Sequence, residues 1–216
     1  RQMCIRDTLY VEEKSIMYLM ARAAKQAGTP AIRTSSIRDV IAIKEETGLP
    51  VIGLVKIQYP GYEGYITPTM KEVDDLVAAG SDVVALDCTL RKRGDGSTVN
   101  EFIAQIKEKY PDIILMADIS NYEEGINAWK CGVDIVGTTI SGYTDYTSKK
   151  DEPDYELMER LAKDTDIPVI GEGKIHYPDQ AVKALQTGVW AIVVGGAITR
   201  PLEIAQRFQK AIEAGK

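Results

Sequence analysis

After residue 30, short apolar runs rich in β-branched residues alternate with longer stretches in which apolar residues recur every three or four positions. The short runs are PAIRTS (30–35), PVIGLVK (50–56), DVVALDC (82–88), IILMADIS (113–120), DIVGTTI (134–140), IPVIGEG (167–173) and WAIVVGG (190–196). Helical spacing is carried by Ile37, Val40, Ile41 and Ile43 before the second run. Val73, Leu76 and Val77 carry it before the third, and Phe102, Ile103 and Ile106 before the fourth. Glycine or proline often closes the helix ahead of the strand. Runs that are apolar at consecutive positions, without strict alternation, predict strands buried on both faces, as in a parallel sheet covered by helices. A repeated strand–helix unit of about 25–30 residues suits either an open doubly wound sheet or an eight-stranded barrel.

The strand ends favour the barrel. Six of the seven runs finish on polar or glycine positions: Arg33-Thr34, Lys56, Asp87-Cys88-Thr89, Asp118-Ile119-Ser120, Thr138-Thr139 and Glu172-Gly173. In a barrel every carboxyl end opens on one mouth, so these residues would form a single site, whereas an open sheet would disperse them. Some are read equally well as helix caps, Ser36 and Ser120 among them.

Within that mouth, Lys56 ends an apolar run, and a lysine in a low-dielectric setting exchanges protons more readily than a solvated one. Glu172 at a neighbouring strand end could share acid–base work with it, or the two could form a structural ion pair. Arg33 and Asp118 offer a fixed cation and an acceptor suited to sugar hydroxyls and a carbonyl oxygen, and Asp87 and Thr89 could act likewise. Gly173, Gly195 and Gly196 stand where a strand turns toward a helix, so their N–H groups could approach an anion, with Arg200 adding a charge; plain turn geometry is the other reading. His176 is read as a surface-loop residue and Cys88 as packing.

Composition narrows the partners. At 216 residues a single domain is expected, and 44% hydrophobic with 27% charged residues is ordinary for a globular chain. No apolar run reaches the ~18 residues of a membrane span. A formal net charge of −6 and a pI near 5.0 argue against nucleic acid as a partner, so a bound anion should be small and locally held. Cys4, Cys88 and Cys131 form no CxxC pair, which suits a reducing cytoplasm, and one histidine cannot supply a histidine metal cluster, so no metal is expected.

Several longer strings resemble the N-acetylmannosamine-6-phosphate 2-epimerases of sialic acid catabolism: AAKQAG (23–28), PVIGLVK (50–56), YITPTMKEVDDLVAAG (65–80), ALDCTLRKR (85–93), MADIS (116–120), GTTISGYT (137–144), PVIGEGKI (168–175) and VVGGAITRP (193–201). The resemblance implies an α/β fold, a (β/α)8 TIM barrel, with a cytoplasmic isomerase activity on an amino-sugar phosphate and no metal or organic cofactor. It implies that Lys56 and Glu172 are catalytic, that Arg33, Asp118, Thr138 and Arg200 bind substrate, and that Gly173, Lys174, Gly195 and Gly196 hold phosphate. Lys174 stands where many relatives carry arginine. A homodimer is the assembly to test. The family's first strand should end on a glutamine in a Cys-Gln-Ala context, but here Cys4 is followed by Ile5. Residues 1–8 are therefore expected to be foreign or truncated, leaving the barrel domain at 9–216 with an absent or atypical first strand. The competing expectation is a truncated, non-catalytic phosphosugar-binding barrel. A ribulose-phosphate epimerase would bring metal-binding histidines that this chain lacks.

Overall fold

A computed structural model describes residues 16–149 and 151–215. The expected atypical stretch 1–8 lies outside the described residues. All seven predicted strands are present: β1 (Ile32–Ser35), β2 (Val51–Leu54), β3 (Val83–Asp87), β4 (Ile114–Asp118), β5 (Ile135–Gly137), β6 (Val169–Glu172) and β7 (Ala191–Val193). They pair in parallel in the order of the chain, β1 to β7. A doubly wound sheet reverses its strand order at a switch point, so this order selects the wall of a barrel.

The connecting helices are α1 (Met17–Gln26), α2 (Ile37–Thr47), α3 (Met70–Ala78), α4 (Val99–Lys109), α5 (Tyr122–Lys130), α6 (Tyr155–Asp164), α7 (Pro178–Gln186), the single turn α8 (Gly196–Thr199) and α9 (Pro201–Ala214). Their starts follow from local chemistry. The Ser36 hydroxyl accepts from Asp39 N–H at the head of α2, as expected. Ser120 is not a cap: Asn121 accepts from Glu124 N–H at the head of α5, and the Ser120 hydroxyl donates instead to the Glu124 carboxylate at 2.7 Å. Asn121 is the better cap because its side chain reaches the amide three residues on, while Ser120 is one residue too early.

The consecutive apolar positions of each strand divide between two cores. Val84, Leu86, Leu115, Ala117 and Val136 pack outward against the helices with Ile43, Leu76, Phe102, Ile103 and Ile106. Ile52, Leu54, Val83, Ala85, Met116 and Ile170 pack inward in the barrel interior. Successive side chains of a strand point to opposite faces. The inward series therefore continues at the mouth with Lys56 after Ile52 and Leu54, Asp87 after Ala85, Asp118 after Met116, and Glu172 after Ile170.

Burial is uneven around the ring. Every residue of β3 is buried, whereas none of β7 is, and α9 buries no residue. Among the described residues β1 and β7 are the two edges of the sheet.

Candidate active site

The centre of the mouth is an ion-paired cluster. Arg33, the second residue of β1, sends a two-pronged fork across the interior to Asp118 on β4: Nη1 donates to Oδ1 at 3.0 Å and Nη2 to Oδ2 at 2.7 Å. Its Nε faces Glu172 Oε2 at 3.2 Å. The Arg33 side chain is 7% exposed, that of Asp118 0% and that of Glu172 18%, so the bonds form almost out of water, where bidentate pairing is strong. Charges buried this deeply are tolerated because each finds a partner.

Glu172 has its carboxyl pKa raised above the ordinary value. Burial is the main cause, the neighbouring Asp118 carboxylate adds to it, and Arg33, Lys56 and a bond from Thr139 oppose it. Lys56 thus lies within electrostatic reach of Glu172, so the structure brings the two expected acid–base residues together. Lys56 lies just beyond β2 and Glu172 ends β6, two strands well separated in the strand order, and both face the same space.

Lys56 is held by its backbone. The chain after β2 folds into a hairpin in which Lys56 bridges Ile66 antiparallel and Ile57 N–H donates to Tyr65 C=O at 2.9 Å. Thr67 closes it, with its N–H on Val55 C=O at 2.7 Å and its hydroxyl on Ala85 C=O at 2.6 Å. Thr67 does this at φ 46°, a conformation that a β-branched residue adopts only when its surroundings enforce it.

Asp87 sits beside Asp118 in register on β3. Its carboxylate accepts from Thr89 N–H at 3.1 Å, the Thr89 hydroxyl at 2.5 Å and Arg91 Nη2 at 2.6 Å, and burial raises its pKa. A Cβ on Gly64 would come within 2.9 Å of that carboxylate, so glycine lets the hairpin close over it. Asp87 and Thr89 are therefore engaged with Arg91, a residue the sequence reading did not single out.

Thr138, expected at the substrate, is fully buried, and its hydroxyl is taken up by the backbone of Glu172: it donates to the carbonyl at 2.9 Å and accepts from the amide at 3.0 Å. Its neighbour Thr139, not singled out, points inward to Asp118 Oδ1 at 2.7 Å and Glu172 Oε2 at 3.1 Å. The parity of β5 carries that signal: Ile135 lines the interior, so Gly137 and Thr139 follow it and Thr138 does not.

At the other side of the mouth, Gly195 caps the turn α8, and its carbonyl accepts from Ile198 and Thr199 N–H. Arg200 folds back over that turn: its Cδ lies 3.1 Å from where a Gly196 Cβ would stand, and its Nη1 pairs with Glu203 at 2.5 Å. Gly173 (φ 106°) and Lys174 (φ 59°) make a left-handed turn after β6. The Lys174 ammonium lies 5.1 Å from the Tyr143 ring centre, against the 141–148 loop. His176 is half-buried in its loop, its Nδ1 has no hydrogen-bond partner, and burial with the nearby Arg207 and Arg200 lowers its pKa. Cys88 is fully buried against the helix layer, as expected of packing, and burial holds its thiol well above the ordinary range. No helix among the described residues is long and apolar enough to cross a membrane, and none of them forms a cluster of acidic, cysteine and histidine groups that could hold a metal.

Residues 17–214 match the model of the NanE family, described as "Putative N-acetylmannosamine-6-phosphate epimerase". A protein of Caldanaerobacter subterraneus named "Putative N-acetylmannosamine-6-phosphate 2-epimerase" is 55% identical over 193 residues, 89% of this chain and 81% of that protein. One of Clostridioides difficile with the same name is 50% identical over 198 residues, 92% of this chain and 88% of that protein. The solved N-acetylmannosamine-6-phosphate 2-epimerase of Clostridium perfringens superposes with a TM-score of 0.87 at 46% identity, covering 94% of this chain and 90% of that one. A thiamine phosphate pyrophosphorylase of Pyrococcus furiosus, at TM-score 0.60 and 19% identity over 94% of this chain and 93% of that one, shares the fold. With an α/β barrel wall, a ring of polar strand ends and matches along nearly its whole described length, this chain belongs to the NanE N-acetylmannosamine-6-phosphate epimerase family.

Proposed function

We propose that this protein interconverts N-acetyl-D-mannosamine 6-phosphate and N-acetyl-D-glucosamine 6-phosphate, as an N-acylglucosamine-6-phosphate 2-epimerase, by moving the proton on C2. The observation that carries the reading is the placement of Lys56 and Glu172 on the same space, beside the buried Arg33–Asp118 fork. In the open-chain sugar C2 lies next to the C1 aldehyde, so a base can remove its proton and leave the electron pair delocalised onto O1. Lys56 and Glu172 divide this acid–base work: one takes the C2 proton, and a proton is returned to the opposite face of the planar enolate. A base and an acid from β2 and β6 suit a carbon whose two faces must both be reached.

The enolate carries its charge on oxygen, and preorganised cations stabilise it without reorganising at the moment of reaction. Arg33 is held for that task by Asp118 and Glu172, and Asp118 is placed to accept from a sugar hydroxyl. The phosphate belongs at the Gly195–Gly196 turn, where backbone N–H groups and Arg200 offer donors and charge, with Gly173 and Lys174 on the adjacent loop. Thr138 serves this site through the Glu172 backbone. The truncated, non-catalytic alternative is not favoured, since the relatives that match nearly the whole described chain carry the epimerase name.

Proton NMR of N-acetylmannosamine 6-phosphate in D2O tests the reading. Deuterium should enter C2 as the N-acetylglucosamine epimer appears. Lys56→Met should abolish this exchange while phosphosugar binding stays within about tenfold, since losing an acid–base group costs about 10² to 10⁴ in rate and leaves remote contacts intact. Exchange that persists unchanged in Lys56→Met would remove the lysine from the mechanism.

A further inference from the structure

The Thr139 hydroxyl lies between two carboxylates, 2.7 Å from Asp118 Oδ1 and 3.1 Å from Glu172 Oε2. A hydroxyl has one proton and accepts on its remaining lone pairs, so it can donate to only one of them at a time. Asp118 does not depend on it, since both of its oxygens already receive an N–H from Arg33. Glu172 is held less closely by Arg33, whose Nε stands 3.2 Å from Oε2, the oxygen that faces Thr139. Space for the hydroxyl is provided by Gly137, whose Cβ, if it had one, would stand 3.2 Å from Thr139 Oγ1 and 2.3 Å from Met116 Cε.

From this geometry we propose that Thr139 is a positioning residue that sets the protonation of Glu172. When Glu172 is ionised, the hydroxyl turns its proton to Glu172 Oε2. When Glu172 is protonated, it accepts from the carboxyl and turns its own proton to Asp118 Oδ1. No bond forms or breaks at Thr139; the proton on Glu172 comes from substrate or solvent, and only the O–H direction changes. The assignment rests on the reading of Glu172 as an acid–base group and says how its charge is controlled in a site where its surroundings compete. Arg33 from β1 and Lys56 from the end of β2 favour the ionised form. Burial and Asp118 from β4 oppose it, with Asp87 of β3 adjacent to Asp118.

The test separates the hydroxyl from the shape of the side chain. Thr139→Val keeps the volume and removes the hydroxyl, whereas Thr139→Ser keeps the hydroxyl and loses a methyl. With ¹³C in the glutamate carboxyl groups and the Glu172 resonance assigned by its loss in Glu172→Gln, NMR reads the titration midpoint directly. A bond to an ionised carboxylate is roughly twice as strong as one to a neutral carboxyl, so Thr139→Val should raise the midpoint by about half to one pH unit, with Thr139→Ser within about 0.2. The Glu172 limb of the kcat/KM profile for C2 exchange should move in the same direction. If Thr139→Val does not fold, Thr139→Ala removes the same hydroxyl without a branched carbon. An unmoved midpoint in both, or equal shifts in the valine and serine variants, overturns the proposal. A shifted midpoint in a protein that does not exchange C2 would refute the epimerase reading and leave the role of Thr139 standing.

Discussion

Arg33, Asp118, Glu172 and Thr139 fill one side of the mouth with mutually bonded side chains, whereas Gly195, Gly196 and Arg200 line the other with backbone and a guanidinium paired to Glu203. On the first side the polar groups arise from or just after β1, β4, β5 and β6, above buried interior residues such as Met116 and Ile170; Asp118 is 0% exposed. On the second they arise from β7, α8 and α9, none of whose residues is buried. β7 is a sheet edge among the described residues, and the difference suits the proposed tasks. Proton transfer requires side chains with fixed positions and tuned proton affinities, which only a low-dielectric, fully paired setting provides. Holding a dianionic phosphate requires N–H groups and a cation that are open to an arriving ligand, so deep burial would defeat it.

Breaking the buried side should produce the largest effect. Arg33→Met leaves two buried carboxylates without their shared cation and should cost about 3–5 kcal/mol of unfolding free energy at pH 7 in urea titrations. The pH dependence has a definite sign. The Glu172 pKa, already raised in the folded state, rises further without Arg33, and a group raised on folding contributes stability below its unfolded value of about 4.3 that is lost as pH rises. The deficit of Arg33→Met should therefore shrink as pH falls toward 4 and widen as pH rises to 8. A pH-independent deficit would mean that Arg33 matters for packing and not for charge.

Breaking the open side should affect ligand and spare the fold. Arg200→Met removes a charge-assisted bond and should raise KM for the phosphosugar by about 10- to 100-fold, with the unfolding free energy changed by less than about 0.5 kcal/mol. A large loss of stability with unchanged KM would place Arg200 with the structural pairs, through its contact with Glu203. The smallest effect sharpens the boundary between the two sides. Thr138→Val removes the hydroxyl that bonds both the carbonyl and the amide of Glu172 and should cost about 1–2 kcal/mol of stability. Turnover per folded molecule should fall less than in Thr139→Val, and a larger loss of turnover would return Thr138 to the substrate.

Much of the barrel could be read from the chain because consecutive apolar positions have a single physical meaning in a parallel sheet. Val83 through Leu86 avoid water on both faces, and the structure shows why, with Val83 and Ala85 inward and Val84 and Leu86 outward. Lys56, Asp118 and Glu172 were legible for the same reason, since each interrupts such a run at its carboxyl end. Thr139 and Arg91 were harder to see. The first required following side-chain parity past the end of β5, and the second lies in a loop, where no period constrains direction. The Asn121 cap was missed because Ser120 and Asn121 are both good caps, and only the start of α5 distinguishes them.

The strand and helix periods, and the placement of charge at strand ends, are local properties of the chain, because hydrophobic spacing and backbone geometry act over a few residues. Which strand ends meet is not local. Arg33 and Asp118 are 85 positions apart, and their pairing depends on strand order and on the handed curvature that brings β1 opposite β4. The raised pKa of Glu172 belongs to the same class. Its value reflects burial and the fields of Arg33, Asp118 and Lys56, which come from three other strands, and an electrostatic environment of that kind comes into being only when the wall of the barrel is assembled.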